Sequence, residues 1–71
     1  MAIYEVHEIE RVWCEETKEF LESNIISSNT FIDDYKGAEE LFNQIDLEGG
    51  YADIIEVDVN GDWIDDVMTN Y

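Results

Sequence analysis

The chain has 71 residues, of which nineteen are Asp or Glu and three are Lys or Arg, giving a formal net charge of −16. That balance excludes direct binding to DNA or RNA, because three cations cannot neutralise a useful number of phosphates. Cys14 is the only cysteine, which excludes an intrachain disulfide and a thiolate metal cluster, and the apolar runs are too short to span a bilayer. Hydrophobic residues at 45% and aromatics at 13% are too many for a disordered tail. No proline, low-complexity stretch or internal repeat divides the sequence, so residues 1–71 are expected to form one acidic domain. No signal peptide is expected before it, which points to the cytoplasm.

The expected fold class is α+β: an N-terminal strand, two short helices and a C-terminal β-hairpin. Residues Ile3 to Trp13 are rich in β-branched and aromatic types and read as the strand, although Val6, Ile9 and Trp13 also stand at helical spacing. Glu15 to Glu22 consists of residues compatible with a helix, with Phe20 and Leu21 facing inward. Glu15, Glu16, Glu19 and Glu22 would then crowd its outer face, offset only by Lys18. Ile25 to Asn29 reads as a short extended piece followed by a turn. A second helix is expected from Ala38 to Ile45, where Leu41, Phe42 and Ile45 form a stripe. Glu39 and Glu40 would sit in its first turn, favourably placed against the helix dipole.

From Ile55 through Val57 to Val59 the apolar period is two, and Asn60-Gly61 follows as a hairpin signal. A two-residue loop there sets Val59 opposite Asp62, Val57 opposite Ile64, Ile55 opposite Asp66 and Glu56 opposite Asp65. The alternative is a C-terminal helix after Asp62, with Asp62 as N-cap and Trp63, Ile64, Val67, Met68 and Tyr71 along one stripe. Either ending keeps the fold α+β.

Among candidate sites, the hairpin acids lead. Directly opposed like charges such as Glu56 and Asp65 destabilise a sheet. Solubility needs a net charge of only about 2 to 8 on a small domain, so the excess points to display of acids for a partner. Asp58, Asn60 and Asp62 reproduce the start of a calcium loop, which makes a calcium-binding module a further alternative. The pattern then fails, with Trp63 where the loop needs glycine and Thr69 where it needs a bidentate Glu, and a hairpin turn explains the same residues. A nucleophilic Cys14 would need a partner base, for which His7 is the only histidine, and no third group is identifiable to orient the pair. Cys14 is most simply a small core residue. Most aromatics belong in a core, and Trp63 is singled out for exposure and for a role as an interface anchor. Neither a metal nor a cofactor is expected.

A compact 71-residue domain would be about 29 Å across, a length over which duplex DNA presents roughly 17 charges. The net charge of −16 matches that density. In size, charge and aromatic content the chain resembles the small acidic DNA-mimic proteins, many of them made by bacteriophages. The group includes antirestriction proteins, uracil-glycosylase inhibitors, some anti-CRISPR proteins and inhibitors of histone-like proteins. The resemblance lies in composition rather than in a motif, so it carries no residue over. It implies a non-enzymatic inhibitor that occupies the DNA site of a basic nucleic-acid-binding protein, in the host cytoplasm if phage-encoded.

The contact acids expected from the sequence are Glu56, Asp58, Asp62, Asp65 and Asp66, with Trp63 as anchor, and Asp33, Asp34, Glu39 and Glu40 as a second cluster. The alternative function is an acidic adaptor or antitoxin that neutralises a basic partner unrelated to DNA. Pairing into a homodimer would add core to a domain this small and lengthen its acidic surface.

Overall fold

A computed structural model describes residues 1–45 and 49–70. Strands β1 (Ile3–Cys14), β2 (Glu19–Ile32), β3 (Gly50–Val57) and β4 (Trp63–Thr69) form one antiparallel sheet in the order β2-β1-β3-β4. One helix, α1 (Tyr35–Gln44), links β2 to β3. The protein is therefore mostly sheet, and the α+β expectation of two helices beside a hairpin is overturned.

The N-terminal strand is present, whereas the first expected helix is not. Glu15 to Lys18 make a single turn, closed by the Lys18 N–H donating to the Cys14 carbonyl at 2.9 Å, with Lys18 at φ 60°. The chain then reverses, and Glu19–Ile32 pairs along β1 from Cys14↔Glu19 to Ile3↔Ile32. Helix propensity favours Glu15 to Glu22 by only tenths of a kcal/mol per residue. A strand that completes the hydrogen bonding of β1 outweighs it. Ile25 to Asn29 is the middle of that strand, not an extended piece ending in a turn.

Helix α1 begins at Tyr35 because Asp34 caps it, its Oδ1 accepting from the Gly37 N–H at 3.0 Å. The start lies three residues before the one expected, so Glu39 and Glu40 fall in the second turn and gain little from the helix dipole. Ala38 and Phe42, four apart, are buried against Val6, Ala52 and Ile54 of the sheet, and Leu41 and Ile45 pack beside them. Burial of Ile54 and Val6, both fully enclosed, contributes about 2–3 kcal/mol each.

The C-terminal hairpin forms, so the alternative helix after Asp62 is excluded by β4 itself. Its loop is one residue longer than expected. The Gly61 N–H donates to the Asp58 carbonyl and the Asp58 N–H to the Asp62 carbonyl, both at 2.9 Å. Gly61 has φ 86°, and Asn60 is not in the left-handed region, so the three-residue loop Val59–Gly61 replaces the two-residue one. Ile55↔Asp66 and Glu56↔Asp65 pair as expected, while Val57 meets Trp63 because Ile64 is bulged out.

Alternation fixes the two faces of the sheet. Tyr4, Val6, Ala52, Ile54 and Phe31 lie toward α1. Ile3, Glu5, His7, Ile9, Arg11 and Trp13 of β1 project from the other face, as do Tyr51, Asp53, Ile55 and Val57 of β3. No second layer covers that face among the described residues. Beyond the Glu10↔Gly50 pair, β1 and β2 continue as a two-stranded arm, which stretches the molecule to 46 × 25 × 16 Å. Among the described residues no helix is long and apolar enough to cross a membrane.

Candidate acidic interface

The register places the two acidic clusters at the same end of the sheet. Ile3 pairs with Ile32 on one side and with Val57 on the other. The chain therefore leaves β2 into Asp33 and Asp34, and leaves β3 into Asp58, at one edge. Asp62 returns there into β4, and the Glu56↔Asp65 pair stands one step inside. At strand spacings of about 4.8 Å, the set spans about 14 Å from β2 to β4.

Several of these carboxylates hold their own backbone. Asp58 Oδ1 accepts from the Asn60 N–H at 2.8 Å and the Asp62 N–H at 3.0 Å, which closes the loop and accounts for the calcium-like spacing. Among the described residues no three Asp, Glu, His or Cys side chains converge to hold a metal ion. Asp33, at φ 51°, accepts from the Ala2 N–H at 2.8 Å through Oδ1, and its own N–H donates to the Ala2 carbonyl at 2.7 Å. Asp34 caps α1. Glu39 lies about 8 Å along the helix from that cap. Beside it the Tyr35 hydroxyl is pushed up by desolvation first, then by its hydrogen bond to Glu39 and the charge of Glu39.

The sheet separates the remaining members. Glu56, beside Tyr4, and its partner Asp65 face the helix side. Asp66, opposite Ile55, and Trp63, opposite Val57, face the bare side, where the Trp63 Nε1–H donates to Asp66 Oδ1 at 2.9 Å. Trp63 is exposed, as expected, but it does not stand among Glu56 and Asp65.

The bare face carries groups to which the sequence reading assigned no site. His7 is buried between two carboxylates, with Nε2 3.0 Å from Glu5 Oε1 and Nδ1 3.1 Å from Asp53 Oδ1. Burial raises the Asp53 carboxyl above the ordinary range, opposed by the charge and hydrogen bond of His7 and reinforced by Asp66. Tyr51, Asp53, Asp66, Met68 and Thr69 line a shallow depression of about 310 Å³ beside it. The Arg11 guanidinium lies 4.3 Å from the ring centre of Phe20 and 5.7 Å from that of Tyr51, and Trp13 meets Phe20 edge-on at 4.8 Å. Reading these as one surface requires knowing that β2 pairs with β1, and no turn residue stands at Lys18 to reveal it.

Cys14 is not a core residue. It sits half-exposed at the far end of β1, its thiol lowered by the Thr17 side chain and by the Thr17 and Glu16 backbone. Seven residues of strand, about 23 Å, separate it from His7, and the two face opposite sides.

The elongated shape changes the comparison with a duplex. Over 46 Å of axis DNA presents roughly 27 charges, so the net charge of −16 spread along the whole molecule falls short. At the acidic end, Asp33, Asp34, Glu56, Asp58, Asp62 and Asp65 stand within about 14 Å, a length over which a duplex shows about eight phosphates. No family model matches the chain, and no curated protein or solved structure proved similar to it.

Proposed function

We propose that the protein is a non-enzymatic DNA mimic that binds a basic, DNA-binding protein and blocks its DNA site. The observation that carries this reading is the gathering of Asp33, Asp34, Glu56, Asp58, Asp62 and Asp65 at one end of the sheet, six acids over a length where a duplex shows about eight phosphates. Glu56, Asp62 and Asp65 supply contacts whose carboxylates accept no backbone N–H among the described residues, while Asp33, Asp34 and Asp58 supply charge from fixed positions. Glu39 and Glu40 extend the acidic surface along the helix. Complementary fields steer such an association and make its affinity fall with salt.

The test is to immobilise the chain, capture its partner from bacterial lysate at low salt, and repeat with Glu56, Asp62 and Asp65 all changed to Lys. The triple variant should retain its circular dichroism spectrum and lose the partner. A folded variant that still binds as well as the parent would remove the acidic end from the interface. An adaptor or antitoxin reading takes over if the partner is basic but has no DNA site that the chain covers.

A further inference from the structure

We infer that the bare face of the sheet is a self-association surface, occupied by a second copy of this chain, a conclusion independent of the DNA-mimic reading. The argument begins with what that face exposes. Trp13, Phe20, Ile25, Ile32 and Trp63 project from it at 45%, 48%, 61%, 57% and 60% exposure. Ile3 and Ile55 lie half-buried between them, over the buried Ile9 and Val57, so apolar side chains reach across all four strands. One ten-residue helix covers only the opposite face, which leaves this small domain with a thin core on one side of its sheet.

Charge selects the occupant. Of the acids in the strands, Glu8, Glu10, Glu19, Glu22, Glu56 and Asp65 lie on the helix side, and only Glu5, Asp53 and Asp66 on the bare side. Those three share their face with Arg11 and His7, two of the chain's four basic side chains. With His7 neutral, three acids against Arg11 leave these strand residues at a formal −2 of the molecule's −16. A basic partner finds its carboxylates on the helix side and at the acidic end. A second copy, itself at −16, can approach closely only where acids are few and partly compensated.

Size permits it as well. The 46 × 25 Å extents cap the face at about 1,150 Å², so the standard interface of about 800 Å² per partner fits only if it takes most of the face. Packing two such sheets face to face makes a sandwich with both helices, and most of the strand acids, turned outward.

Analytical ultracentrifugation of the full chain at 0.05 and 0.5 M NaCl tests the inference, with Ile25→Lys on β2 and Trp63→Lys on β4 as variants. The expected result is a species of twice 8.3 kDa that tightens at the higher salt, because screening relieves the repulsion of like charges. Each variant should weaken it about tenfold or more, since both place an unpaired cation in an apolar interface. Partner capture weakens with salt instead, so failure of one reading does not imply failure of the other. A monomer at millimolar concentration in both salts would overturn the inference. So would a dimer indifferent to both variants, or one sensitive to Ile25→Lys alone, which would place the contact at the β2 edge. Should a variant lose its fold, acrylamide quenching of Trp13 and Trp63 in the parent decides: protection must rise with protein concentration, and constant quenching would contradict the sandwich.

Discussion

Asp34 shows how single carboxylates in this protein are committed to structure. It supplies the N-cap that starts α1, and a Cβ on Gly37 would run into its carboxylate. Asp34→Ala should cost about 1 kcal/mol of stability, and Gly37→Ala should also destabilise by displacing the cap. Thermal melts of the two variants and their double mutant check this; the double should fall short of the sum, because both act on one hydrogen bond.

Asp53 behaves in the opposite way. Burial holds its carboxyl above the ordinary range even beside His7, so folding favours the protonated form. That contribution is fully present below the ordinary carboxylate pKa and is lost as pH rises through the raised value. Asp53→Asn, neutral throughout, should melt higher than the parent at about pH 7 and show a flatter melting profile between about pH 4 and 7. A lower melting temperature at pH 7 would mean that the ion pair with His7 outweighs desolvation.

Among the elements, the β3–β4 hairpin is where stability and display of charge conflict. Glu56 and Asp65 stand directly opposite each other, an arrangement that costs up to about 1 kcal/mol in a sheet. Glu56→Thr should therefore raise the melting temperature and, in the same variant, weaken partner capture. Retained capture would show that this pair is only a structural cost.

The hairpin was legible because Asn60-Gly61 and the spacing of Ile55, Val57 and Val59 are local signals. The Ile55–Asp66 and Glu56–Asp65 pairs followed from the register, whereas Val57 slipped to Trp63 at the Ile64 bulge and Val59 left the ladder for the longer loop. α1 was legible from Leu41, Phe42 and Ile45, but not its true start, because the reading gave Asp34 no capping role. Strand β2 was illegible for a physical reason. Its turn uses Lys18 in a left-handed conformation where glycine or asparagine would have announced it. Its two bulges, at Leu21 and Ile26, also break the alternation that marks a strand. The acidic residues themselves were found from composition, whereas their gathering at one end follows from Ile3 pairing with both Ile32 and Val57.

At the scale of the whole molecule, a net charge of −16 on an 8.3 kDa chain opposes compaction. The melting temperature should rise between 0.05 and 0.5 M NaCl as the Debye length shortens from above 10 Å to a few ångströms. A flat profile would mean that the acids are already separated enough not to interact. The same charge should make partner capture fall steeply over that range. Opposite salt responses for stability and for binding are the signature expected of acids held against their own repulsion for use at an interface.

The most direct measurement is a competition titration of the captured complex with duplex DNA at fixed salt. If the acidic end occupies a DNA site, DNA should release the partner completely, and the midpoint should move in proportion to the concentration of this chain. If the partner stays bound at saturating DNA, or binds both together, the acids serve a different surface and DNA mimicry is refuted.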